Sequence, residues 1–233
     1  MTTEFVCIPQ SPKLSQQDLD LIVAAVGAQL HDDYAPAWER IPPTVSFSAA
    51  GVPVDTANVR YVACWFRDKT TDDPDSALAY HWVNPDTKRA EIVVLVDVVI
   101  AQPGATRDDV SIAFGHECIE CNEDFYADEW SDRGDGTEEA LEAVDRVQGY
   151  SYAKAINGQA IKVTDFLLPT AFDNDAPAGS KFDFTGQLAS ARQVGEGGYA
   201  ITRSVGKEDA TVTGNMQMAH AYSHKTLEKH GVK

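Results

Sequence analysis

The pentapeptide His116-Glu117-Cys118-Ile119-Glu120 constrains this chain more than any other stretch of it. Its polar side chains can act together only on a helix, where His116 and Glu120 leave the same face one turn apart. Glu117 is rotated off that face yet close enough to reach a water shared with it. Two ligands, a carboxylate base and room for a water are what a catalytic zinc site requires. Carboxylate oxygen at Glu120 is a competent ligand where the usual pattern carries a second histidine. The flanking residues favour the helix. Thr106-Arg107-Asp108-Asp109 fits a capping box, in which the hydroxyl and the fourth-position carboxylate satisfy free N–H groups at the helix start. Val110, Phe114, Cys118 and Cys121 then form a packing stripe, and His116 and Glu120 point well away from it, toward a cleft.

The surrounding pattern is that of a mixed α+β domain. A helix is predicted from Ser15 to His31, with Ser15 as N-cap and Leu19, Leu21, Ile22, Ala25, Val26 and Leu30 as its apolar stripe. Strand-like runs follow at Val45–Ala49, Val59–Phe66, Ala77–Val83 and Ala90–Ile100, the last rich in Val and Ile. Beyond the motif helix, a second helix is predicted from Glu138 to Val147. Asn157-Gly158 predicts a hairpin between Tyr152–Ile156 and Ala160–Asp165. Leu168–Gly198 reads as irregular, Tyr199–Ser204 as a strand and Asn215–His230 as a terminal helix. Residues 1–150 are thus expected to form a metal-binding core, and 151–233 a β-rich extension packed on it.

Composition narrows the partners. A net charge of −17 argues against nucleic acid, which needs a basic footprint. The longest apolar run holds Asp97 and is too short to span a membrane. The first residues lack a basic segment followed by an apolar one, so no secretory signal is expected. Cys7, Cys64, Cys118 and Cys121 make no disulfide framework in a chain of 233 residues and are read as reduced thiols in a cytoplasmic setting.

Zinc needs a third protein ligand, and the acidic segment after the motif supplies candidates. Glu142 follows Glu120 after enough chain for a loop and a return, and is the leading candidate. Asp145 either accepts the free ring N–H of His116 and fixes its tautomer, or ligates in place of Glu142. Glu117 then takes a proton from the metal-bound water. Tyr199, after two glycines, is a candidate hydrogen-bond donor to an oxyanion, although a place in a sheet accounts for it equally simply.

Taken together, the Ser15–His31 helix, the strands up to Ile100, His116-Glu117-Cys118-Ile119-Glu120 and Glu142 resemble the zincin metallopeptidases of the small gluzincin type. The resemblance implies a backing helix, a mixed sheet whose last strand leads into the metal-binding helix, and a second helix that gives a Glu ligand. The chain is also similar to a group of phage and prophage proteins. That similarity lies in Gln29-Leu30…Pro36-Ala37-Trp38, Gly115-His116-Glu117, Glu142…Asp145, Asp165-Phe166-Leu167-Leu168-Pro169 and Gly197-Gly198-Tyr199. It implies a phage-encoded protein in the host-cell cytoplasm or in a virion. Two functions follow as expectations: a metal-dependent peptidase or amide hydrolase acting on a peptide, or a virion component, among other virion proteins, that keeps the fold and a structural metal. One histidine and two carboxylates make a harder donor set than usual, so Mn²⁺ and Ca²⁺ stand beside Zn²⁺ as candidate ions. If the chain is a peptidase, the Ala90–Ile100 strand is the candidate edge for an extended substrate.

Other features carry less. Twelve acidic residues and one basic residue lie between Glu117 and Asp145, but Asp128, Asp132 and Asp135 lack the spacing of a calcium loop. His220 and His224 repeat the i,i+4 spacing with no acid at useful distance. His31 and His81 have no partner in sequence and read as ordinary surface or core histidines.

Overall fold

The computed structural model describes residues 1–48, 51–74, 77–207 and 210–214. The chain begins with β1 (Thr2–Pro9) and α1 (Gln16–Gln29), which continues through a wider turn at Leu30–Tyr34 into the short α2 (Ala35–Ala37). Four strands follow: β2 (Thr44–Phe47), β3 (Val59–Arg67), β4 (Ala79–Val83) and β5 (Ala90–Leu95). The short α3 (Val96–Ile100) then leads to the motif helix α4 (Arg107–Glu123). Next come β6 (Trp130–Asp132), β7 (Thr137–Ala140), β8 (Ser151–Ile156), β9 (Gln159–Thr164), β10 (Tyr199–Ser204) and β11 (Ala210–Gly214).

The main sheet has the order β2-β1-β3-β5-β4. Its first four members run parallel, and β4 returns antiparallel to β5 as an edge, with His81 opposite Ile92. A second, antiparallel sheet has the order β11-β10-β7-β6, and β8 and β9 form a separate hairpin. This is a mixed α+β architecture with few helices. Among the described residues no helix is long and apolar enough to cross a membrane.

Both long helices start where the local chemistry places them. Ser15 Oγ accepts the N–H of Asp18 at 3.1 Å. At α4, Thr106 Oγ1 accepts the N–H of Asp108 while Asp109 Oδ2 accepts that of Thr106 at 2.7 Å, closing the capping box. The helices pack on each other and on one face of the main sheet. Ile22, Val26 and Leu30 of α1, Cys7, Cys64, Phe66, Ile92 and Val94 of the sheet, and Val110, Phe114 and Cys118 of α4 share one core. Phe66 and Phe114 meet edge-on with ring centroids 4.9 Å apart. The four cysteines are free and buried in this layer, as small apolar side chains would be. Ile161, Val163 and Phe166, from beyond residue 150, belong to the same core.

The hairpin at Asn157-Gly158 forms as predicted, with φ of 50° and 78° at the two turn residues. Three expectations need correction. Glu138–Val147 is not a helix: residues 137–140 are β7, and only Asp145–Val147 makes a single tight turn. Gly134 and Gly136, at φ of 74° and 85°, fold a hairpin between β6 and β7, and β7 is then held between β6 and β10. The run from Ala90 stays extended only to Leu95 and turns helical at Val96. Nor is that strand an edge; β5 is paired on both sides, and among the described residues the outer strands of the main sheet are β2 and β4. The terminal helix and His220, His224 and His230 lie outside the described residues.

Candidate metal centre

α4 is buried on two faces rather than one. One face carries the apolar stripe, and the other carries His116, Glu117 and Glu120, which are only 5%, 6% and 3% exposed. Its C-terminal end is pinned by a polar knot. Tyr34 donates to Glu123, Asn122 donates to the Tyr34 hydroxyl at 2.6 Å, and Arg40 meets Glu123 at 2.7 Å. A helix held at its cap and its end presents the motif at a fixed height above the sheet.

Three segments converge on that motif. From the edge of the sheet, β4 supplies His81, whose Nδ1 lies 3.1 Å from Glu117 Oε2. From the connection after β7 come Glu142 and Asp145, and from β10 comes Tyr199; all are buried. His116 Nε2 lies 2.9 Å from Glu120 Oε2 and 3.3 Å from Asp145 Oδ1, so one nitrogen faces both acids. Glu120 Oε1 accepts the N–H groups of Val144 and Asp145, each at 3.1 Å, which ties the loop to the helix. The Tyr199 phenol hydrogen-bonds Asp145.

Potential ligand atoms of His116, Glu117 and Glu120 lie within 4.8 Å of one another, and so do those of His81, Glu120 and Glu142. Glu120 belongs to both triads. The residues singled out by sequence are therefore brought together, but in two overlapping groups rather than one. His81 is the member that sequence reading placed elsewhere. The signal for it was the strand itself: with two-residue periodicity His81 shares a face with Ala79 and Val83, and a histidine on an otherwise apolar face calls for a partner. The acids Asp132 and Asp135, by contrast, accept the N–H groups of Gly134 and Thr137 and so serve as turn residues.

The electrostatics are those of acids taken out of water. Burial pushes the Glu120 carboxyl well above the usual range, and Asp145 and Glu142 add to this against the pull of His116. Burial likewise raises Asp145 to about 6, His116 working against it, and raises Asp124 to about 6 with help from Glu142. Burial disfavours a charged imidazole. Even so, Glu120 and Asp145 hold His116 well above its ordinary value, and Glu117, Glu142 and Glu120 hold His81 near 10. Burial and the charge of Asp145 raise the Tyr199 phenol, which stays a hydrogen-bond donor.

The donor chemistry fits a divalent cation. The groups are imidazole nitrogen and carboxylate oxygen, they converge at ligand spacing, and His81 Nε2 is buried without a hydrogen-bond partner among the described residues. Buried carboxylates in native proteins are paired or bind metals. No family model, curated protein or solved structure matches the chain.

Proposed function

We propose that this chain is a zincin-like protein that binds a divalent metal through His116, Glu120 and Glu142, with Glu117 as proton acceptor in hydrolysis of a peptide or amide. The observation that carries this is that Glu120 belongs both to the buried group of His116 and Glu117 and to the buried group of His81 and Glu142. The element order supports it: a backing helix α1, a mixed sheet, and a last strand β5 that leads through α3 into the capped motif helix. The phage origin suggested by the sequence resemblance is part of the same proposal. Zn²⁺ is the ion that best suits mixed nitrogen and oxygen donors, with Mn²⁺ the harder alternative.

When bound, the ion would polarise a carbonyl and acidify a water. The chain's own residues do the rest. Glu117 offers a carboxylate within the buried site to receive a proton. The N–H groups of Val144 and Asp145 fix one oxygen of Glu120, leaving the other turned to His116. Tyr199 keeps Asp145 in place beside His116 Nε2. An extended peptide would approach β4, the outer strand of the described sheet, which carries His81.

Metal analysis of the purified protein, beside His116→Ala, tests the proposal. Stoichiometric metal in the wild type and its loss in the variant are expected; a wild type that takes up none refutes it. Glu117→Gln is expected to keep the metal and the fold while losing hydrolysis of a peptide library. Metal retained with no turnover in either protein leaves a structural ion and removes the catalytic half of the proposal.

A further inference from the structure

His81 has no task in the chemistry proposed so far, yet it is buried at the centre. One ring nitrogen, Nδ1, lies 3.1 Å from Glu117 Oε2. The other, Nε2, is buried with no hydrogen-bond partner among the described residues. A ring nitrogen of His81 also lies within 4.8 Å of carboxylate oxygens of both Glu120 and Glu142. A histidine held by a carboxylate at one nitrogen and open at the other is the arrangement found around metal-ligating imidazoles. There the carboxylate fixes the tautomer, turns the ring and raises its basicity.

We propose that His81 is a ligand of the centre through Nε2, oriented by Glu117 through Nδ1–H, so that β4 supplies the second imidazole that the motif helix lacks at Glu120. This rests on the metal centre proposed above and changes its character. Glu120 links the group that holds His116 to the group that holds His81 and Glu142, so an ion drawing on both would have two imidazoles with the carboxylates of Glu120 and Glu142. Imidazole suits Zn²⁺ and its first-row neighbours, whereas an all-oxygen set suits Ca²⁺ and Mg²⁺. The centre therefore favours a transition dication over Ca²⁺. Ligation at Nε2 needs the lone pair there, so a ring that carries a proton on both nitrogens releases the Nε2 proton to solvent as the ion binds. Glu117 keeps Oε2 on His81, and Oε1 is the oxygen with which it accepts a proton in catalysis. Glu117 is then both positioning group and base.

The test uses the full chain loaded with Zn²⁺, as wild type, His81→Gln and His116→Gln, with far-UV circular dichroism in chelator to confirm folding. X-ray absorption at the zinc edge counts imidazoles per ion: two are expected in the wild type and one in each variant. Competition with a chromophoric chelator is expected to show Zn²⁺ affinity falling about 100-fold or more in His81→Gln, at or beyond the top of the range for loss of an outer partner. Ca²⁺ affinity should stay within a few-fold. A count of one imidazole in the zinc-loaded wild type overturns the assignment, and so does a Zn²⁺ affinity unchanged in His81→Gln. If that variant does not fold, the wild-type count alone decides. A wild type that binds no metal fails at the earlier step and refutes the centre itself; stoichiometric zinc with a single imidazole leaves the centre standing and removes only His81.

Discussion

Asp165 gives a prediction that owes nothing to a metal. Its carboxyl is fully buried beside that of Asp183, and the two share a hydrogen bond. Asp165 Oδ1 accepts the N–H groups of Phe166 and Thr185 at 2.8 and 3.1 Å, and its Oδ2 accepts the Thr185 hydroxyl at 2.6 Å. Asp183 accepts the N–H groups of Gln187 and Leu188 at 2.8 and 2.7 Å. Burial pushes Asp165 up to about 7; the Thr185 hydroxyl opposes this and Asp183 adds to it. Burial also works against the Asp183 carboxylate, but its N–H donors and the Asp165 proton hold it below the ordinary range. The pair therefore keeps one proton, on Asp165, up to neutral pH.

The consequence has a definite sign. In the unfolded chain Asp165 releases its proton near pH 4, whereas the folded protein holds it to about 7. Between those values the folded state binds more protons, so its stability falls as pH rises and the loss is complete above about pH 7. The depressed Asp183 acts in the opposite sense, but only as pH falls below about 4, so the windows do not overlap. Asp165→Asn removes the titration and keeps the geometry: the amide oxygen can take the two N–H groups and the NH₂ can donate to Asp183. Between about pH 5.5 and about pH 8 the variant should gain roughly 2 kcal/mol on the wild type, or roughly 4 to 8 °C in Tm for a chain of this size. Urea or thermal melts of both proteins at the two pH values measure this, and titrations common to both cancel in the difference. A gap that stays constant to within about 0.5 kcal/mol would refute the shared-proton account.

Two further predictions concern stability. Glu139 is buried against Arg146 at 2.8 Å, with Arg133 and Arg192 at 3.2 and 3.4 Å, so Glu139→Gln strands a buried guanidinium and should cost roughly 3 to 5 kcal/mol in urea unfolding. A loss under about 1 kcal/mol would mean that Arg146 finds compensation elsewhere. Gly115 lets α1 approach α4: a Cβ there would lie 2.9 Å from Gln29 Oε1, and that amide is pinned by its bond to Thr164 O at 2.6 Å. Gly115→Ala gains about 1 kcal/mol of helix propensity but overpacks the contact by about 1 to 3, so a net loss is expected. A higher Tm for the variant would show that Gln29 can move.

What could be read from the sequence was what short-range chemistry decides. Ser15 and the Thr106–Asp109 pair mark helix starts because a cap satisfies N–H groups within one turn. Asn157-Gly158 marks a turn because both residues accept positive φ. The Glu138–Val147 helix failed for a non-local reason. Its spacing suits a helix, but Glu139 is drawn to Arg133, Arg146 and Arg192, two of which lie several residues away and the third beyond residue 190. His81 was invisible as a partner of Glu117 because the contact spans 36 residues and depends on β4 reversing beside β5. The edge was misassigned for the same cause: strand order is a property of the whole sheet, and a run of Val and Ile does not say on which side it is paired.

Two of the buried acid groups among the described residues are neutralised in different ways, and the difference bears on the metal. At Glu139 one carboxylate meets three guanidiniums, and burial, with smaller help from Arg192 and Arg133, lowers Arg146 to about 10 against the pull of Glu139. A few residues away Glu117, Glu120 and Asp145 are met by two imidazoles, a phenol and main-chain N–H groups. Glu142 adds its charge to Glu120, Asp145 and Asp124. Each unmatched buried carboxylate costs several kcal/mol. Among the described residues no arginine or lysine meets Glu120, and the positive charge beside it is that of His116 and His81. Protons balance such a group only by consuming its ligand atoms. A dication would balance it and use them, which is the physical argument behind the proposal that His116, Glu120 and Glu142 form a site.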